Sequence, residues 1–242
     1  MCHELRFATA CPESSFKRDC NLCHGQFHLG CGSLFMICTG TSSTPEDIIA
    51  IRVTSEIVRR VFLEADGRDP EELFRCAVRE SNAMLYGMSV NDTYPHGMGA
   101  DLAALLLDPS GKGKSLACHV GCNRIFLIRE GSVDQITRHH PRLRGIWSGG
   151  VSGHSGRVRS VYNVAAGAIG MSTDVSPEIT EIDVESGDRY VLCSACISDS
   201  ISIRSLLDLA DEDAEICARS ILDITNARDD HRYPLVQIVD CI

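Results

Sequence analysis

Apolar residues along this chain recur with two different periods, broken by glycine-rich and polar stretches. Residues 33–38 (Ser-Leu-Phe-Met-Ile-Cys) run into Thr39-Gly40-Thr41-Ser42-Ser43, which predicts a buried strand ending in a turn. A helix is expected next. Thr44 can cap it, Pro45 suits its first turn, and Glu46 and Asp47 sit near the positive end of its dipole, while Ile48, Ile49, Val53, Ile57, Val61 and Phe62 form an apolar stripe. Asp66-Gly67 closes it, and a second helix is predicted over about 70–88, with Leu73, Cys76, Ala77, Ala83, Met84 and Leu85 turned inward and Met88 also in the core. After His96-Gly97-Met98-Gly99 the pattern changes to strands at 102–107, 115–120, 124–128 and 133–137, connected by the tight turns Gly121-Cys122-Asn123 and Glu130-Gly131. The basic, Gly-rich residues 138–159 read as a mobile surface segment. Strands at 179–184 and 190–193, helices at about 202–210 and 212–226, and a strand at 235–239 complete the pattern. Paired helices early and late around a run of antiparallel strands indicate an α+β sandwich, and with no long linker or repeat the expectation is a single domain over 1–242.

Composition narrows the function classes. With 23 Lys+Arg against 33 Asp+Glu, a net charge of −10 argues against a diffuse nucleic-acid-binding surface. At 44% hydrophobic and 23% charged residues the 242-residue chain can bury a sizeable core. No apolar run reaches the roughly 18 residues of a membrane span, and the first fifteen residues do not follow the basic-then-apolar order of an export signal, so a cytoplasmic location is expected. The 13 cysteines are scattered and odd in number, and Cys38, Cys118 and Cys193 end apolar runs, where a thiol acts as a small hydrophobe.

The order and wording of several segments resemble the metal-dependent serine/threonine phosphatases of type 2C, the PPM family. His119-Val120-Gly121-Cys122-Asn123-Arg124 with Ile125 to Gly131 is similar to the family's HVGDSRxYLxRxG hairpin, and His96 to Gly99 before an apolar strand resembles GMGTT. Gln135-Ile136-Thr137-Arg138 resembles QLTxDHS, the run from Gly187 to Ser194 resembles GDRxLLCSDGL, and Asp230-His231 falls where the family has DN before its last strand. The resemblance spans about residues 10 to 242 and implies an αββα sandwich: two antiparallel sheets face to face, flanked by helices. It also implies a phosphatase centre in which bridging aspartates hold Mg or Mn ions that activate a water, since hard divalent ions take oxygen ligands.

The departures fall on those aspartates. In the segments similar to RxxNED, ADGMGG, GDSR and SDGL, the aspartate positions carry Cys23, Thr39 (followed by Gly40), Cys122 and Ala195; Asp230 persists, and Asp199 lies a few residues beyond the SDGL position. One retained carboxylate cannot neutralise two divalent ions, so no Mg or Mn cofactor is expected. The reading is a pseudophosphatase that serves as a protein-binding, scaffolding or regulatory module in phospho-signalling, with a protein partner, phosphorylated or itself a kinase or phosphatase. The alternatives are an active phosphatase with a rebuilt metal site, and a cysteine-based metal or redox sensor in which Cys23, Cys122 and Cys196 surround one pocket and bind zinc with Asp230, His231 or His24. Arg6 and Arg18 are both candidates for the family's phosphate-binding arginine, and Arg18 fits the spacing to Asn21 better. Cys20-Asn21-Leu22-Cys23-His24 spells the haem-attachment pattern C-x-x-C-H, but attachment follows export, so haem is not expected. His139-His140 with Arg138, Arg142 and Arg144 reads as a basic loop patch, and Trp147 as either a partner anchor or a cap on the sandwich.

Overall fold

The computed structural model describes residues 4–12, 22–29, 32–41, 45–90, 98–108, 110–137, 142–147, 160–165, 167–226 and 234–242. Twelve strands and five helices are defined among them. In chain order these are β1 (Leu5–Ala10), β2 (Leu22–Leu29), β3 (Gly32–Gly40), α1 (Pro45–Leu63), α2 (Pro70–Val90), β4 (Ala100–Leu107), β5 (Ser115–Val120), β6 (Arg124–Arg129), β7 (Ser132–Gln135), β8 (Arg142–Trp147), β9 (Ser160–Ala165), β10 (Glu178–Ile182), β11 (Arg189–Cys193), α3 (Ala195–Ser198), α4 (Ile203–Asp208), α5 (Ala214–Asn226) and β12 (Val236–Cys241). One antiparallel sheet has the order β1-β12-β11-β6-β7 and the other β10-β5-β4-β3-β2.

The pleat explains how these sheets stack. Along β3, Leu34, Met36 and Cys38 enter a core shared with α1 and α2, whereas Phe35 and Ile37 enter a second core with Leu105, Tyr190, Leu192 and Val239. Alternate residues of both sheets therefore build the inter-sheet layer. Val191, Cys193, Val236 and Ile238 face away from it, into a third core under α3, α4 and α5. The result is the four-layer αββα arrangement implied by the sequence. Each layer buries a full apolar face, and strands covered on both sides read as continuous apolar runs, as β4 does with all eight residues buried.

The helix pair is fixed by the edge-on packing of Phe62 on Phe74, with ring centroids 4.7 Å apart, and by an ion pair from Arg60 to Glu80 at 2.6 Å. On α2 the core face is Leu73, Phe74, Ala77, Val78, Ser81, Asn82 and Leu85. Ala83 and Met84 were expected inward, but both are exposed, Met84 at 53%. Ala83 lies about 180° around the helix from the centre of that face, at about 100° per residue. Met88 does pack partly against the core.

Residues 138–159, expected as a surface loop, contain β8, which pairs antiparallel with β9 from Arg142 opposite Ala165 to Trp147 opposite Ser160. Strands β1 and β2 were not anticipated. β1 pairs with β12 and β2 with β3, so each forms an edge of its sheet.

Candidate functional site

The chain brings one end of both sheets together. β3, β5 and β11 finish there, and β4, β6 and β12 begin there, as the registers Thr39 opposite Asp101 and Cys193 opposite both Arg124 and Val236 require. The pleat turns Thr39, Asp101, His119 and Gln237 into the space between the sheets at this end. All four are buried.

Thr39 is anchored by a neighbour that the sequence reading treated only as a turn residue. Its Oγ1 donates to Oδ1 of Asn123 at 2.9 Å, and Asn123 Nδ2 donates to the Asp101 carbonyl at 3.0 Å. Asn123 is fully buried and precedes β6, so this bridge ties the end of one sheet to the start of the other. The turn itself is held by Arg124, whose Nη1 donates to the carbonyls of Gly121 and Asn123 at 3.3 and 3.0 Å. Gly121 has φ of +91°, and a Cβ there would collide with the Asp101 carboxylate. That carboxylate therefore lies against the turn backbone, cross-strand from Thr39.

Cys122, next in the turn, packs with Ala168, Met171 and Ala195 in a small apolar cluster. Met171 also covers Gly99, its Cγ lying 3.0 Å from where a Cβ at Gly99 would stand. The segment carrying Ala168 and Met171 is fixed from two sides. Ile169 and Ala100 exchange backbone hydrogen bonds of 3.0 Å, and Asn82 of α2 accepts from the Gly170 amide at 2.8 Å and donates to the Ser172 carbonyl at 3.0 Å. Gly170, at φ +90°, passes so close that a Cβ would stand 2.5 Å from the Met98 carbonyl oxygen. Asp47, fully buried in the first turn of α1, accepts from the Gly99 amide at 3.3 Å and lies against Gly40.

Ala195 begins α3, whose first residues follow a β11 end locked to β12: Ser194 donates its amide to the Leu235 carbonyl at 2.9 Å and accepts the Leu235 amide on Oγ at 3.0 Å. Cys196, expected beside Cys122, instead enters the core under α5 with Cys193 and Cys217, its Sγ 3.2 Å from Ser194 Oγ. Consecutive residues of a helical turn point about 100° apart, which separates it from Ala195. Asp199 is exposed and caps α3 through its amide, bonded to the Ala195 carbonyl at 2.9 Å. Arg6 is exposed on β1 beside Glu4, on the strand face that turns Ala8 and Ala10 toward α5 and at the far end from Thr39. It does not reach the site. Arg18, Asp230, His231, His139 and His140 lie outside the described residues; Cys23 and His24 are placed by backbone alone, opposite Cys38 and Ile37, as is Trp147.

No protein-family model matches the chain. Its sequence is 29% identical to the serine/threonine protein phosphatase PstP of Mycobacterium tuberculosis over 164 residues, covering 64% of this chain and 30% of PstP. It is 23% identical to the protein phosphatase PhpP of Streptococcus pneumoniae over 150 residues, covering 62% of this chain and 59% of PhpP. The chain thus matches less than two thirds of either relative. The structure of the S. agalactiae serine/threonine phosphatase superposes with a TM-score of 0.79 at 19% identity, covering 99% of this chain and 100% of that one. The PstP catalytic domain, solved with two manganese ions, gives 0.74 at 20% identity, with 98% and 97% covered. The chain has the fold of the PPM serine/threonine phosphatases.

Against that fold, the described positions do not fit a pair of hard divalent ions. Thr39 offers a hydroxyl already bonded to Asn123, and Cys122 and Ala195 meet in an apolar contact. Among the described residues no group of three or more His, Cys, Asp or Glu side chains is placed to hold a metal, and no helix is long and apolar enough to cross a membrane.

The described thiols are suited to packing. Cys38, Cys118, Cys122, Cys193, Cys196, Cys217 and Cys241 are buried, and burial pushes the Cys118, Cys193 and Cys217 thiols up, away from the reactive thiolate. With an aromatic disulfide reagent at pH 8, these seven should react only as fast as the fold opens, while the half-buried Cys11 and Cys76 react first. Peptide mapping of the modified protein reads the order; prompt labelling of Cys122 or Cys196 would restore a thiol-sensor role.

Proposed function

We propose that this chain is a PPM-fold pseudophosphatase, a binding and regulatory module in phospho-signalling whose partner is another protein. The observation that carries this reading is the contact of Cys122 with Ala195, Ala168 and Met171. It fills two positions where the resemblance places metal-binding aspartates, and the Thr39 to Asn123 hydrogen bond fills a third. Of the clustered carboxylates that a metal pair would offset, the described residues between the sheets at this end keep only Asp101, so there is little like charge for a cation to neutralise and the framework can persist without the chemistry. In this reading the partner is a phosphorylated segment, with Arg18 proposed to pair with its phosphate.

One observation favours a second reading, an active enzyme with a rebuilt centre. Asp101 stands directly cross-strand from Thr39, so a buried carboxylate lies one strand away from the substituted position. Hydrolysis of an aryl phosphate and of a phosphothreonine peptide by the freshly reduced protein in millimolar Mn or Mg separates the two. No turnover above the metal-only rate is expected, where an active relative such as PstP works under the same conditions. Metal-dependent turnover that disappears in both Asp101→Ala and Asp230→Ala would overturn the pseudophosphatase reading and establish the second.

A further inference from the structure

Residues 168–173 form a short strap across the site end, and its backbone is pinned on both sides of Met171. Ile169 is bonded to Ala100 through both of its backbone groups, and Asn82 holds Gly170 by its amide and Ser172 by its carbonyl. Gly170 passes so close to the Met98 carbonyl and to Leu85 that a Cβ would collide with both. Between these fixed points the Met171 amide closes a turn onto the Ala168 carbonyl at 3.3 Å, and the Met171 side chain lies against Cys122, Ala168 and Ala195.

Burial sets Met171 apart from its neighbours. Met36 and Met98 are 2% and 0% exposed, whereas Met171 is only partly buried and Cys122, which it packs on, is 5% exposed. The thioether is thus the outer member of the pair and the thiol the inner one.

A hydroperoxide oxidises a reachable thioether directly. A sulfur lone pair attacks one peroxide oxygen, the O–O bond breaks, and the other oxygen leaves with its proton as water or an alcohol. Sulfur gives up the electron pair that the peroxide gains. The product sulfoxide is polar, and the cluster cannot satisfy it: Ala168 and Ala195 have no side-chain donor, and the Cys122 thiol is only a weak one. Held in that contact, the sulfoxide carries the cost of an unsatisfied polar group, which is relieved by turning out to water.

We propose that Met171 is a redox-operated cover for Cys122, and that its oxidation to the sulfoxide by a hydroperoxide swings the side chain out of the cluster and opens the thiol to reaction. The strap backbone stays fastened to Asn82 and Ala100, so the opening is local. A dithiol-dependent sulfoxide reductase reverses it, the oxygen leaving as water while the dithiol becomes a disulfide. The device uses the strap alone and works whether or not the site end hydrolyses phosphate.

The test takes the whole chain through hydrogen peroxide, then removes the peroxide and adds dithiothreitol, which restores reversibly oxidised thiols and leaves methionine sulfoxide in place. Peptide mapping reads which methionines carry oxygen and how fast Cys122 takes up an aromatic disulfide reagent at pH 8. Met171 should be oxidised after Met84, which is 53% exposed, and well before Met36 and Met98. Cys122 labelling should then rise at least about tenfold, with Cys193 and Cys217 as slow as before, and methionine sulfoxide reductase should return the slow rate. In Met171→Leu, which keeps the apolar volume, peroxide should leave Cys122 slow although Met84 is still oxidised; Met171→Gln, which puts a polar group into the contact, should label fast without peroxide. The proposal is overturned by a Met171 as resistant as Met36 and Met98, by a slow Cys122 beside a Met171 sulfoxide, or by a leucine variant that responds like the parent. It is equally overturned by a glutamine variant no faster than the parent, or by Cys193 and Cys217 speeding up together with Cys122, which would mean general loosening of the fold.

Discussion

Replacing Arg129 by methionine is expected to destabilise the fold by about 3–5 kcal/mol, the cost of leaving a buried carboxylate without its counter-ion. The carboxylate is Asp188, 1% exposed at the turn into β11. Arg129 Nε and Nη2 donate to its two oxygens at 2.6 and 2.7 Å, the paired geometry in which a guanidinium matches a carboxylate. The Glu185 amide and the Tyr190 hydroxyl donate to Oδ2 at 2.8 and 3.1 Å, and Arg129 also reaches the Glu185 carboxylate at 2.7 Å and the Asp183 carbonyl at 2.7 Å. The guanidinium is held protonated by the Asp188 bond, and burial with the Asp188 charge pushes the Tyr190 phenol up, so neither donor titrates in the range where the fold is stable. The network joins β6 to the β10–β11 connection, and β11 is the central strand of its sheet. Chemical denaturation gives the cost directly. Adding Asp188→Asn to Arg129→Met removes the orphaned charge and keeps an acceptor for Glu185 and Tyr190, so the double variant should recover more than half the loss. A loss under about 1 kcal/mol in the single variant would mean that water replaces Arg129 without penalty.

How the fold could be read from the sequence shows why the site could be read only in part. β3, β4, β5 and β11 are covered on both faces and spell continuous apolar runs, and α1 and α2 carry long helical stripes, so periodicity alone located them. Edge strands carry a weaker signal. β2, Leu-Cys-His-Gly-Gln-Phe-His-Leu, has no clean alternation, and β8 with β9 lies in a Gly- and Arg-rich stretch whose composition reads as loop. Ala83 and Met84 are apolar without being buried: helical phase turns Ala83 away from the core, whereas Met84 falls in phase with Leu73 and Ala77 and is nonetheless 53% exposed. At the site end, ordered motifs single out Thr39, Cys122 and Ala195, but nothing in the sequence singles out the residues they pack against or bond. Asn123 reads as a turn residue, Asp101 precedes the apolar run by one position, and Met171 and Asn82 come from segments far apart in sequence. Long-range polar pairing leaves no periodic trace, and only the cross-strand register reveals it.

The sharpest consequence of the filled site end concerns restoring its aspartates. Cys122→Asp should destabilise the protein by at least about 3 kcal/mol at neutral pH, because it drives a carboxylate into the contact with Ala168, Met171 and Ala195 and beside the Asp101 carboxylate. Both the apolar surroundings and the neighbouring like charge favour the protonated form, so the folded-state pKa of the introduced group lies above its unfolded value of about 4. The native state then holds the proton more tightly than the unfolded chain does, which makes stability relative to the parent fall as pH rises and recover as pH drops toward about 4. Thermal melts of parent and variant between about pH 4 and pH 8 should therefore converge at the acid end. Metal supplies the second arm. The triple variant Thr39→Asp, Cys122→Asp and Ala195→Asp gathers oxygen ligands at three positions that the resemblance assigns to metal binding, and Mn at about 100 times its dissociation constant should return roughly 2.7 kcal/mol. The parent chain should show no such gain, since Thr39 is committed to Asn123 and Cys122 and Ala195 are packed together. Stabilisation of the parent by millimolar Mn would locate a metal at this site end and turn the assignment toward a rebuilt catalytic centre around Asp101. A parent indifferent to Mn beside a responsive triple variant would show that the framework still accepts the ions and that these substitutions alone removed them.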